Sequence, residues 1–508
     1  MQLFRRRSST CRFLHKAACC APGPDSSIGP HVGERTAGTA RLLIALTVLG
    51  FWLFGTRTAL AQQRVMNETS VHVQSEWIKT DQSGNGAGRS PAGASSSSVS
   101  ARRIAASDRR LTAPPETNRV EDVPADSLPD VSSGATSIAD VDGDGNQDLL
   151  ITGSDKNGIN IARVYLGNGD ATFSVAGAGL EGVYMGTTSI ADVDGDGKQD
   201  LLITGHDEED NSTTTLYLGN GEGGFSKADA DLTNVSGGST SIADLNGDGN
   251  PDLLVTGDAS SDDAALSKTV PSTTLYLGNG EGGFSVADAG LTDVSGGSTS
   301  IADVDGDGNK DLLIAGDPHE GHIRIGGGEP EPITTLYLGD GAGNFSEANA
   351  DLLNIGNGST SFADFNGDGN PDLLIAGKDP SDTPAAALYL GDGNGGFSKA
   401  EVDLTSVHDP AASTADVNGD ENEDLLIVGA TRPMSNPVIK LYQGHGDGTF
   451  SAGSLDLTGV YNATASIADV NRDADQDLFV TGSNSSHEPN TALYLGNGDG
   501  TFTPVEDR

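Results

Sequence analysis

The chain has 508 residues, 70 of them glycine, only 5% aromatic residues and a formal net charge of −44. That length allows either a few ordinary domains or one large repeat array, and the glycine content favours the array. So negative a surface repels nucleic acid and anionic membranes, which argues against either as a partner.

Residues 42–55, LLIALTVLGFWLFG, form the one long apolar run. At 14 residues the run is short for a membrane span and fits the core of an export signal. Arg41 precedes it, and Ala59-Leu60-Ala61 supplies the small residues that a signal peptidase accepts. Residues 1–61 therefore read as a signal peptide with a long n-region or, if uncleaved, as a membrane anchor. The expected location is secreted, periplasmic or cell-surface. Cys11, Cys19 and Cys20 all lie in this segment, so disulfides cannot hold the exported part together. Loss of residues 1–61 removes 8 basic and 2 acidic groups and leaves 21 against 71, a net charge of −50. Residues 62–127, rich in Gly, Ser, Ala, Pro and acids, lack the apolar content of a core and read as a disordered linker.

An acidic motif then recurs seven times, at Asp140 (DVDGDGNQD), Asp192 (DVDGDGKQD), Asp244 (DLNGDGNPD), Asp303 (DVDGDGNKD), Asp364 (DFNGDGNPD), Asp416 (DVNGDENED) and Asp469 (DVNRDADQD). The spacings are 52, 52, 59, 61, 52 and 53 residues, periods that signal a propeller or a solenoid. Each unit carries a second marker of the type LYLGNGEGGFS, and the next leading Asp always follows its first residue by 28 positions. All length variation thus falls in one loop per unit, longest at residues 257–274 and 316–335.

Four short strands are predicted per unit, for example TSIADV, DLLITG, ARVYLG and TFSVAG in the first. The small residues of the first strand suit the innermost place, where blades crowd the axis. Residues 128–508 therefore read as an all-β, seven-bladed β-propeller of four-stranded antiparallel blades. LPDVSSGATSIA at 128–139 matches LTDVSGGSTSIA of a later unit, so the two ends of the ring are expected to meet.

The acidic loops supply oxygen at positions 1, 3, 5 and 9, with a backbone carbonyl at 7. In order the candidates are Asp140, Asp142, Asp144, Asn146 and Asp148; Asp192, Asp194, Asp196, Lys198 and Asp200; and Asp244, Asn246, Asp248, Asn250 and Asp252. Next come Asp303, Asp305, Asp307, Asn309 and Asp311, then Asp364, Asn366, Asp368, Asn370 and Asp372. The last two sets are Asp416, Asn418, Asp420, Asn422 and Asp424, and Asp469, Asn471, Asp473, Asp475 and Asp477. Hard oxygens at this density suit Ca²⁺, which takes about 6 to 8 of them, better than Mg²⁺. An EF-hand would need a glutamate at the twelfth position, where the first loop has Ile151. Asx-Gly turns explain the DG and NG pairs but not an Asp at both positions 1 and 9. Five loops carry the full pattern. In the sixth Glu421 replaces a glycine, and in the seventh Arg472 and Ala474 replace two. These side chains are expected to resist the positive φ of the turn and to weaken or abolish binding there.

These residues resemble the FG-GAP repeats of integrin α-subunit propellers and the related VCBS repeats of bacterial secreted proteins. GGF or GTF before the fourth strand and GDP at Gly316 to Pro318 echo the FG and GAP of the name. The resemblance implies a seven-bladed propeller with Ca²⁺ between strands 1 and 2, serving adhesion or ligand binding.

Antiparallel blades put the 1-2 and 3-4 loops on one face and the 2-3 and 4-1 loops on the other. The metal face is therefore expected to be structural, and the opposite face to bind an extracellular protein or glycan. Eight residues before each leading Asp, Tyr184, His408 and Tyr461 stand where other units have Ser or Gly, and are candidates for a ligand contact near the axis. Core filling explains them equally well.

Catalysis has thin support. His319 and His322 suit a solvated loop, Trp52 and Trp77 lie outside the propeller, and no nucleophile or phosphate-loop signature occurs. A polysaccharide lyase built on a calcium-rich propeller is the alternative.

Overall fold

A computed structural model describes residues 122–260, 269–318, 331–453, 455 and 457–505. The chain divides into two units, Met1–Arg109 and Arg110–Arg508, and every described residue lies in the second. The apolar run at 42–55, His319 and His322 fall outside the described residues.

Seven antiparallel sheets follow one another along the chain, each built from consecutive strands. Blade 1 is typical: Thr136–Ala139, Asp148–Ser154, Asn160–Gly167 and Thr172–Val175, in that order outward from the axis. The remaining blades occupy residues 188–227, 235–287, 295–348, 356–399, 408–452 and 461–504. Blade 1 also has a fifth, outermost strand, Asp122–Pro124, paired to Thr172–Val175. This corrects the linker boundary at residue 127: the apolar Val123 and Leu128 flank a short helical turn, Ala125–Ser127, and Ala125 and Leu128 are buried.

One of the two long 2-3 connections is also more regular than a loop. In blade 3 the ladder continues to Ser260 paired with Thr269, because Thr269-Val270-Pro271-Ser272 opposes Gly257–Ser260 in register.

The second strands show how blades stack. Asp200–His206 and its counterparts are buried along nearly their whole length, with Leu201 and Leu202 both at 0% exposure. A run such as DLLIT has no apolar-polar alternation because both of its faces are covered by neighbouring blades. Leu150 and Val164 of blade 1 pack with Leu201, Ile203 and Tyr217 of blade 2. Each such side chain contributes about 1.5–3 kcal/mol by leaving water. The ring closes in the same way, with Val470, Phe479 and Leu493 of blade 7 against Leu149, Ile151, Tyr165 and Phe173 of blade 1. No strand is shared at this closing seam, so only side chains and loops join the two ends.

Around the axis, hydroxyls tie each blade to the next. Ser137 pairs with Thr188 at 2.6 Å, while Ser189–Thr240, Ser241–Thr299 and Ser300–Thr360 each lie at 2.7 Å. Ser466 and Thr136 complete the closing seam at 2.8 Å. In blade 6 Ala412 takes the threonine position, and in blade 7 Ala465 offers only its carbonyl to Ser413, at 2.8 Å.

Candidate functional site

The seven acidic loops share one backbone conformation. In the first, both oxygens of Asp140 accept backbone N–H groups, from Gly143 at 2.7 Å and Gly145 at 2.9 Å. Asp148, 1% exposed, accepts from Val141 and from Gly167 of the third strand, each at 2.7 Å. The same bonds recur at Asp303 and Asp311, with Gly306 at 2.8 Å, Gly308 at 3.0 Å, Val304 at 2.8 Å and Gly339 at 2.9 Å. Turn chemistry therefore does account for an Asp at both ends of the loop. Each oxygen keeps a second lone pair, so these bonds and a cation are compatible.

Three loops bring carboxylates together. Ligand atoms of Asp140, Asp142 and Asp148, of Asp192, Asp194 and Asp200, and of Asp303, Asp305 and Asp311 each lie within 4.8 Å of one another. These triads can hold a metal ion: the donors are all hard oxygens and one of each set is buried. In the other four loops an asparagine takes position 3. Asn366 and Asn418 donate to Asp372 and Asp424, at 3.3 and 3.4 Å, and Asn246 and Asn471 donate to Asp248 and Asp473, at 3.1 and 2.9 Å.

Position 5 is not part of these sets. Asp144, Asp196, Asp248, Asp307, Asp368, Asp420 and Asp473 each accept the backbone N–H of position 7, at 2.8–3.0 Å. Those seventh residues are Asn146, Lys198, Asn250, Asn309, Asn370, Asn422 and Asp475. The Lys198 ammonium folds back onto Asp196 at 2.7 Å.

Electrostatic crowding appears where it is expected. Burial first, then Asp142 and Asp140, push the Asp148 carboxyl up to about 6, against the pull of its two backbone bonds. Asp477 is pushed up to about 6 by burial, with Asp473 and Asp469 adding. Burial likewise raises Asp200, Asp252, Asp311, Asp372 and Asp424. A bound cation offsets both causes.

The sixth and seventh loops correct one expectation. Glu421 (φ 68°), Arg472 (φ 64°) and Ala474 (φ 74°) adopt the left-handed conformation rather than resist it. Their N–H groups still bond Asp416 at 2.8 Å and Asp469 at 2.6 and 3.0 Å. The capping carboxylate at position 1 outweighs a strain of about 1 kcal/mol per residue.

On the opposite face the three axial candidates separate. Tyr184 pairs with His206 across its blade, stacks on that ring at 5.2 Å between centroids and donates its hydroxyl to Asp210 at 2.8 Å. It lines a cleft of about 430 Å³ with Ser154, Ile159, Asn160, Glu208 and Asp210. Ile159 at its lip is 52% exposed. His408 begins the first strand of blade 6, half-buried opposite Ala430. Tyr461 is 3% exposed, and its hydroxyl meets His487 Nδ1 at 2.6 Å, so its ring presents no face to a ligand. The sequence had no signal for Glu208 and Asp210, which lie in an ordinary acidic turn, DEED.

No curated protein matches the chain. Among solved structures, the BP39L lectin from Burkholderia pseudomallei is similar at 11% identity and a TM-score of 0.48, over 74% of this chain and 98% of that one. The fungal lectin of Aleuria aurantia, a six-bladed propeller, aligns at 12% identity and a TM-score of 0.36, over 64% of this chain and 95% of its own. The β-xylosidase/α-arabinofuranosidase CoXyl43 from a compost microbial metagenome aligns at 11% and 0.31, over 55% and 97%. The FG-GAP-like repeat matches residues 140–203, 192–255, 244–314, 303–375, 364–427 and 416–480. Each match opens on the leading aspartate of one acidic loop and runs past the next, and the chain belongs to the FG-GAP-like repeat family.

Proposed function

We propose that this protein is an exported, calcium-braced propeller that binds an extracellular protein or glycan on the face opposite its acidic loops. The observation that carries this reading is the division between the faces. One face repeats a single loop seven times, with converging carboxylates in three copies. The other differs from blade to blade and holds the Tyr184 cleft. Calcium is favoured over magnesium because the loops offer many carboxylate and carbonyl oxygens.

The role is non-catalytic. Asp210 holds the Tyr184 phenol above its ordinary range, so at neutral pH it remains a protonated hydrogen-bonding wall and a poor base.

The test is a glycan and matrix-protein array probed with calcium and with chelator, alongside a melting curve in each condition. Calcium is expected to raise the melting temperature by on the order of 10 °C, several sites each adding by mass action. A ligand hit that survives Tyr184→Ala and Glu208→Gln together places binding elsewhere. An unchanged melting temperature removes calcium from the account, and release of unsaturated products from a polysaccharide panel, read by ultraviolet absorbance, replaces it with the lyase.

A further inference from the structure

The seam between blades 7 and 1 differs from the other six at one position. In the first six acidic loops position 4 is glycine: Gly143, Gly195, Gly247, Gly306, Gly367 and Gly419. Most of these pass close to the next blade's 3-4 loop. A Cβ on Gly195, Gly247 or Gly306 would lie 3.1, 2.8 or 3.2 Å from the carbonyl oxygens of Gly280, Gly341 and Gly393. Backbone meets backbone there, and glycine at positive φ fits best.

At the closing seam the residue is Arg472, held at φ 64°. Its guanidinium leaves its own loop and donates to the carbonyl of Gly145 in the acidic loop of blade 1, at 2.7 Å. Its methylene stem lies over Gly169 of the blade 1 3-4 loop, where a Cβ would come within 3.0 Å of Arg472 Cδ. Beneath it Asn146 is 8% exposed, and its Oδ1 has no hydrogen-bond partner. The position-7 residues of the other six loops are all more exposed.

We infer that Arg472 is the clasp that closes the ring. One side chain touches both loops of blade 1 on the acidic face, across 327 positions of sequence, at the one seam through which the chain does not run from blade to blade. The remaining seam contacts on the opposite side repeat those of ordinary seams. Thr491 bonds Asp130 at 3.0 Å as Thr273 bonds Asp293 at 2.8 Å. On the acidic face Arg472 is therefore the added element, as the turn Ala125–Ser127 beside the third strand of blade 7 is on the outer side.

The test is Arg472→Gly, which installs the residue of the other six loops and removes the backbone strain. Strain is released only when loop 7 itself unfolds, whereas the seam opens with that loop intact. The substitution is thus expected to leave the melting temperature equal or higher. It is also expected to accelerate amide exchange at least about threefold in peptides covering 128–153 and 461–483, with blades 3 to 5 unchanged. Arg472→Lys, which keeps a donor without the planar fork, is expected between the two. Glu421→Gly, which relieves the same strain in loop 6 without a clasp, serves as control and leaves the seam unaltered. Seam exchange that is unchanged or slower in Arg472→Gly overturns the inference. So does acceleration spread evenly round the ring, or acceleration matched by Glu421→Gly.

Discussion

The two faces of the ring are built on opposite terms. On the acidic face, seven loops keep one backbone path although their side chains vary, and even Glu421 and Arg472 are bent to it. On the other face the same register position holds Ser132, Tyr184, Ser236, Ser295, Gly356, His408 or Tyr461, and its surroundings change with it. The residue that follows each of them is always at positive φ, from Ser133 at 51° to Asn462 at 47°. The backbone at this register position is thus as regular as on the other face, while its side chains and the lengths of the neighbouring 2-3 loops have diverged. Repetition of side chains marks what holds the ring, and divergence over a regular backbone marks what can be adapted to a partner.

The largest single effect expected is Asp311→Ala. It removes a carboxylate at 0% exposure and leaves the N–H groups of Val304 and Gly339 without an acceptor. The cost is about 2–5 kcal/mol, read as a lower melting temperature or urea midpoint. The loss should persist in chelator, because the backbone bonds are independent of a cation. Loss confined to calcium-containing buffer would mean that position 9 serves the metal alone, and the repeated scaffold would then exist only when loaded.

A smaller and more diagnostic effect is expected from pH. A carboxyl raised in the folded state contributes stability that is complete below its ordinary pKa of 3.8 and is lost as pH rises through its folded value, about 6 for Asp148 and Asp477. The metal-free chain should therefore melt higher at pH 5 than at pH 7, by on the order of 5 °C. Carboxyls lowered by hydrogen bonds, such as Asp207 and Asp340, lose their contribution only below the ordinary range and do not interfere. With calcium the order should invert, since protons compete for the same oxygens. Identical pH profiles with and without calcium would disconnect the crowded carboxylates from metal.

Much of this architecture was legible in the chain. TSIADV and DLLITG fall on Thr136–Ala139 and Asp148–Ser154, because turn residues bracket short apolar runs at a fixed period. What stayed hidden was any residue with two roles or a distant partner. Asp148 caps two N–H groups and joins a carboxylate triad, and one letter cannot separate these roles. The Thr-Ser pairs at 136–137, 188–189, 240–241, 299–300 and 360–361 explain themselves as small residues near an axis, yet they form the hydroxyl belt between blades. Arg472 looked like a side chain out of place at a glycine position, and its partner lies in another blade.

Tyr184 and Tyr461 share a register position and differ in what their blade's 2-3 loop offers them. Asp210 at the tip of one loop leaves Tyr184 beside an open cleft, whereas His487 at the matching point of another closes over Tyr461. Phenylalanine at each position removes one hydrogen bond and keeps the ring. Tyr461→Phe, in a buried site, is expected to cost about 1 kcal/mol and to leave ligand binding unchanged. Tyr184→Phe, half-exposed, should cost less than about 0.5 kcal/mol in stability and weaken binding several-fold, because it frees Asp210 to move and takes a hydroxyl from the cleft wall. Paired melting curves and titrations with an array-identified ligand read both. The contrast fails if Tyr461→Phe weakens binding as much as Tyr184→Phe. Recognition on this face would then belong to the whole mouth of the ring rather than to the cleft between its first two blades.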